Sequence, residues 1–267
     1  MQSSEDLGNT FSRAWQLLTA NWIMIVPGIV IAIIAGVLIA VLAMVGFGAA
    51  AGFGTMGMAG AGIGAGLLGA AIIALVLILA TILTIAYTTG MAGAAWRTGR
   101  ATLDDGAAAF RTDGGAILTA VVVLFLLGII AAILVPFTLG LSLLAFWFLF
   151  LYTFASVIIG SRSGTDAVSE SARLATHNFL TTLIVIILLG VAFAVAAWIG
   201  AILHHIPFLG SIVAYIIQQV VAAYAALVIV GEYMKLRALG ETAPVGVATT
   251  APPPPPPPAS GPPPTGL

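Results

Sequence analysis

The side chains in this sequence that could do chemistry inside a membrane are few and neutral. Thr81, Thr84 and Thr88 recur at i, i+3 and i+7, which puts three hydroxyls on one helix face. Tyr215 and Gln218 stand three apart, and Gln219 adjoins them. Such residues admit two roles. The hydroxyls can close onto carbonyls of their own helix and the amides can bond across helices, for about 0.6 kcal/mol each. Alternatively, Thr84, Thr88, Tyr215, Gln218 and Gln219 can line a pore or groove for an uncharged solute. His204 and His205 are adjacent and diverge around a helix, and the chain has no Cys and no nearby Asp or Glu to complete a metal shell. No Walker loop, HExxH helix or GxSxG turn occurs with its supporting context. The sequence therefore predicts no catalytic, cofactor-binding or metal-ligating residue, and no enzyme.

These neutral residues lie in stretches without formal charge. All 8 Lys+Arg and 9 Asp+Glu residues fall in four islands, at 1–13, 97–113, 162–173 and 232–241. Charge makes up 6% of residues and hydrophobic types 61%, against roughly 25% charged in a soluble domain. Each charge-free stretch is too long for one bilayer crossing of about 20 residues and suits two crossings joined by a turn. The apolar runs are 22–45, 67–86, 116–136, 141–159, 180–203 and 208–231. In hydrocarbon an unpaired backbone group is costly, so these runs are expected to be helices. The expected fold is all-α, a polytopic integral membrane protein with six transmembrane helices arranged as three hairpins.

An ionisable residue within a span would be a functional site by default. None falls within these six runs, which weighs against proton relays and ion-coupled transport. The islands hold every Lys and Arg, and the three intervening connections hold none. Positive charge accumulates on the cytoplasmic side, so both termini are expected there, in the cell membrane. The first twenty residues do not read as a cleavable signal, because Glu5 and Asp6 precede Arg13 and the apolar run is too long. A net charge of -1 without a polybasic run excludes nucleic acid as an expected partner, leaving membrane lipids.

Two islands share a pattern. When 11–22 (FSRAWQLLTANW) is laid over 168–179 (VSESARLATHNF), Ser12, Leu17, Thr19 and Asn21 meet Ser169, Leu174, Thr176 and Asn178. Phe11, Trp15, Leu18 and Trp22 have the spacing of one helix face, as do Val168, Ala172, Ala175 and Phe179. A weaker copy runs Leu103, Ala107, Phe110, Gly114, with Asp113 in place of Asn. Each hairpin is therefore expected to follow a short amphipathic helix at the cytoplasmic interface, with Asn21, Asp113 or Asn178 at the corner, able to end one helix in the left-handed conformation and to cap the span beyond. Trp15, Trp22, Trp96, Phe110, Phe179 and Tyr233 are placed to anchor in the headgroups. Ser163 to Asp166 fits a capping box, and Glu170 with Arg173 an exposed helix face; the alternative is a site formed by Asp166, Glu170 and Arg173.

These segments, with AAWRTGRATLDDGAAAF before the third span and DAVSESARLATHNF before the fifth, resemble the YciC-like six-span membrane proteins. They also resemble the related membrane domain of some glycerophosphoryl diester phosphodiesterases. The resemblance covers about residues 8 to 238 and implies architecture; no soluble phosphodiesterase domain accompanies it, so that activity is not carried over.

The connection at 46–66 is nearly all Gly, Ala and Met and reads as a mobile external loop with helical shoulders. A six-helix domain is expected over 1–240, followed over 241–267 by a disordered Pro-rich cytoplasmic tail. Its seven consecutive prolines would extend roughly 22 Å and could dock on a partner protein. The expected function is noncatalytic organisation of lipids or partner proteins, with a permease or channel for an uncharged or lipid-like substrate as the alternative.

Overall fold

A computed structural model describes residues 2–55, 59–206 and 209–242. The structured elements among them are helical: α1 (Gln2–Ala20), α2 (Val26–Thr55), α3 (Ala59–Thr98), α4 (Leu103–Thr138), α5 (Leu141–Phe150), α6 (Thr153–Ile158), α7 (Gly164–His177), α8 (Phe179–Leu203) and α9 (Leu209–Thr242), with a 3-10 turn at Trp22–Ile25. Six segments are long and apolar enough to cross a membrane: Trp22–Met44, Leu67–Thr98, Leu103–Thr138, Leu141–Ile158, Phe179–Leu203 and Leu209–Leu239. Helix α2 pairs with α3, α4 with α5 and α8 with α9, giving three hairpins. Helix α1 lies on α9, while α7 lies against α4, α5 and α6.

The two expected corners share one conformation. Asn21 sits at φ -130°, ψ 56° and Asn178 at φ -113°, ψ 48°. Each side-chain amide donates back to the carbonyl four residues earlier, Leu17 at 2.8 Å and Leu174 at 3.1 Å. Neither residue is left-handed and neither side chain caps the helix that follows, so neither role expected at the corner is taken. Asn21 instead also donates to the Gly99 carbonyl at 3.2 Å and accepts from the Ala101 amide at 2.8 Å, which ties the end of α1 to the α3–α4 loop. Thr19 and Thr176 repeat the likeness, each bonding the carbonyls three and four residues back.

The third corner is absent. Helix α4 runs unbroken through Asp113, so the stretch from Leu103 is the first part of a transmembrane helix and not a separate interfacial one. A carboxylate only accepts, so Asp113 cannot donate to a carbonyl of the preceding turn as the two Asn residues do. The helix starts at a capping box between Thr102 and Asp105. It passes through Pro136 and ends in a left-handed pair, Leu139 (φ 51°) and Gly140 (φ 88°), stapled by the Thr138 and Ser142 hydroxyls at 3.0 Å.

The Gly-rich connection is also more helical than expected, since α2 reaches Thr55 and α3 begins at Ala59. Residues 56–58 lie outside those described, as do 243–267 of the Pro-rich tail. Glycine costs about 1 kcal/mol per helical position in water. At membrane depth a backbone without internal hydrogen bonds costs more, and the helix wins.

The bulkiest fully buried side chains, among them Tyr152, Tyr233, Leu18, Met24, Met91 and Leu227, gather at the charged end of the bundle. Two of the expected headgroup anchors belong to this core. Trp96 donates its indole N–H to the Leu227 carbonyl at 2.8 Å, packs its ring on Gly231 and lies 5.0 Å from the Arg13 guanidinium, and Tyr233 is fully buried. Trp15, Trp22 and Phe179 are more than half exposed, whereas Phe110 is partly buried beside Tyr87. The buried face of α1 runs through Leu7, Ala14, Leu17 and Leu18, so Leu18 alone of the expected stripe is fully buried.

Close packing at this end makes individual glycines decisive. A Cβ on Gly164 would stand 2.5 Å from the Ala120 amide of α4 and 2.6 Å from the Ala116 carbonyl, whereas one on Gly190 of α8 would meet nothing within 4 Å. Gly164→Ala is expected to lower stability by about 1–3 kcal/mol, and Gly190→Ala to leave it equal or higher, as read by thermal unfolding in detergent. In the same assay Asn21→Ala should cost more than Asn178→Ala, because only Asn21 bridges to another loop.

Candidate functional site

The most polar part of the buried core lies where the fourth span breaks. Between α5 and α6, Leu151 and Tyr152 leave the regular helix, and the Ser171 hydroxyl of α7 fills the gap. Ser171 Oγ donates to the Leu149 carbonyl at 2.8 Å and accepts from the Tyr152 amide at 3.1 Å. One hydroxyl thus replaces a backbone bond and fixes α7 to the span. The Tyr152 hydroxyl lies 3.4 Å from Thr182 Oγ1 on α8.

One turn towards the charged end, Ser156 donates to Glu170 Oε2 at 2.5 Å. Arg162 approaches the same oxygen at 3.3 Å. Glu170 is 8% exposed and Arg162 half exposed, so the carboxylate is held inside the protein and its cation opens to solvent. The Tyr233 hydroxyl lies beside Gly160, where a Cβ would overlap it, the Ser156 carbonyl and nearly the Arg237 guanidinium. Glu232 is fully buried and pairs with Lys235 at 3.8 Å. Beside this centre a polar cavity of about 240 Å³ opens between α3, the start of α4 and the end of α6, lined by Arg97, Asp105, Thr112, Asp113 and Ser161 among others. Among the described residues no three His, Cys, Asp or Glu side chains are grouped to hold a metal.

The sequence pattern placed Glu170 on an exposed face; the structure buries it and joins it to Arg162 rather than Arg173. Asp166 is engaged with Ser163 at the start of α7, at 2.6 Å. Glu232 closes an apolar run of the sequence, yet it belongs to the buried core of α9. Tyr152, Thr153 and Ser156 were the readable sign of this centre, three polar residues spaced i, i+1, i+4 at the end of a span.

The neutral residues singled out for a pore or groove lie on two helices, the threonines on α3 and the others on α9. Thr81, Thr84 and Thr88 donate to the carbonyls of Leu77, Ala80 and Thr84, each at 2.8 Å. Tyr215 donates to the Gly28 carbonyl of α2 at 3.0 Å, and Gln219 packs directly on Gly28. Gln218 is exposed. His204 and His205 end α8 in an exposed turn, where His205 Nδ1 lies 3.1 Å from the Ile202 carbonyl. Comparison with known proteins returns no matching family model, no matching curated protein and no matching solved structure.

The Ser156–Glu170–Arg162 chain should be coupled internally and weak at its wet end. Glu170→Gln and Ser156→Ala are each expected to cost about 1–3 kcal/mol, and the double variant less than their sum. Arg162→Ala, at a half-exposed position, should cost no more than about 1 kcal/mol. Thermal unfolding of the four variants in one detergent reads the order.

Proposed function

We propose that this protein is a noncatalytic multi-pass protein of the cytoplasmic membrane that organises lipids or partner proteins at its charged face. The carrying observation is the division of the molecule into a packed polar cap and an apolar membrane region. Several hydroxyls within the spans close onto backbone, as with Thr84, Thr88 and Tyr215, while buried carboxylates and their cations collect at one end. The cap is cytoplasmic by the positive-inside rule, since the islands that build it carry every Lys and Arg. The exposed Trp15, Trp22 and Phe179 then lie at the cytoplasmic headgroup level, where an amphipathic ring is best accommodated. The Pro-rich stretch of 241–267 leaves from the same side and offers an extended segment to a protein partner. The resemblance to YciC-like proteins carries the same architecture.

Reconstitution separates this reading from a permease. Vesicles containing the protein are expected to release glycerol and small sugars no faster than protein-free vesicles, while crosslinking in the native membrane captures lipids or proteins at the charged face. Solute flux well above the empty vesicles overturns the reading.

A further inference from the structure

Helices α2, α3 and α4 leave a groove of about 430 Å³ between them, lined by apolar side chains such as Ile34 and Leu38 of α2, Leu79 and Leu83 of α3, and Leu118 of α4. Its volume falls within the range of roughly 300–1,000 Å³ usual for sites that hold small molecules. Along α4 it runs from Phe110 to Val121, about 16 Å at 1.5 Å per residue. That is close to half of a hydrocarbon core of about 30 Å, the depth of one leaflet. The Phe110 end is the charged end. Arg111 is exposed there, on the ridge that continues through Gly114 to Leu118, and among the described residues it makes no ion pair or hydrogen bond. Asp104 lies two turns further from the hydrocarbon along α4. Asp113 faces the other way, into the polar cavity.

Gly114 adds an independent argument. It lines the groove, and a Cβ built on it would meet nothing within 4 Å. A larger residue would favour the helix by up to about 1 kcal/mol, so packing does not require glycine here, and a larger side chain would project into the groove.

We infer that this groove holds one acyl chain of an anionic phospholipid from the leaflet on the charged side, with the phosphate set against Arg111. An apolar channel one leaflet deep fits a chain, and an unpaired arginine at its mouth fits a phosphate, which a guanidinium binds in bidentate fashion. This rests on the lipid-organising reading and names the lipid class.

The test uses the full chain in nanodiscs of equal phosphatidylglycerol and phosphatidylcholine, released into detergent and weighed by native mass spectrometry. Wild type is expected to keep one phosphatidylglycerol, and Gly114→Leu, which fills the groove, to keep at least tenfold less. Gly115→Leu is the matched control: its Cβ also meets nothing within 4 Å, but the residue does not line the groove. It should behave as wild type. Arg111→Gln should keep a lipid but no longer prefer phosphatidylglycerol. Equal retention by wild type, Gly114→Leu and Gly115→Leu overturns the inference. So does equal retention of the two lipids by wild type. Solute flux bears only on the broader functional reading, so the two fail separately.

Discussion

An apolar side chain gains nothing by leaving lipid tails for a protein interior, and this fact governs where the molecule packs. Between helices in hydrocarbon, cohesion comes from close contact and hydrogen bonds rather than from the hydrophobic effect. Accordingly, the middle of the bundle leaves Ile33, Leu77, Phe125 and Trp198 facing outwards, and the large buried side chains collect where the helices rise towards water. There Met91, Tyr152, Leu227 and Tyr233 gain from burial in the ordinary way. The polar bonds concentrate in the same layer. Ser171 mends the broken span, Glu170 gathers Ser156 and Arg162, and Asn21 bridges α1 to the loop before α4.

The repeat shows how small a chemical difference decides whether a helix turns. At Asn21 and Asn178 an amide that can donate to a carbonyl of the previous turn accompanies a sharp exit from the helix. At Asp113 the carboxylate can only accept, and α4 continues straight into the membrane. The opening helix of the second hairpin, α4, is therefore longer, at 36 residues, than α2 or α8, at 30 and 25, and its continuity puts Arg111 on the same ridge as Leu118.

Six apolar runs and four charge islands were enough to read the helices and their hairpin order, because hydrocarbon allows few alternatives to a helix. The corners at Asn21 and Asn178 were legible from the local repeat. The burial of Glu170 and Glu232 was not, since it depends on which helices meet at the cap, and charged residues beside a span normally lie in solvent. Periodicity likewise named the aromatic stripe of α1 but not which way it faces. In a membrane the outward side can be as apolar as the inward one, and Trp15 points out while Leu18 points in. The partners of Tyr215 and Gln219 converge on Gly28, far away in sequence, and no local spacing signals that contact.

The length of the first hairpin has a consequence for how the protein sits in membranes of different thickness. Helix α3 spans Ala59–Thr98, and the part below its buried end, residues 59–86, is about 42 Å long, against a hydrocarbon layer of about 30 Å. At the cap, charges and packed aromatic residues fix the level of the surface. At the far end the chain is mostly Gly, Ala and Met and carries no charge, so more or less of it can enter the hydrocarbon, with mismatch costing only fractions of a kcal/mol per Å. The hairpin takes its depth from one face of the bilayer and leaves the position of the other face free to vary.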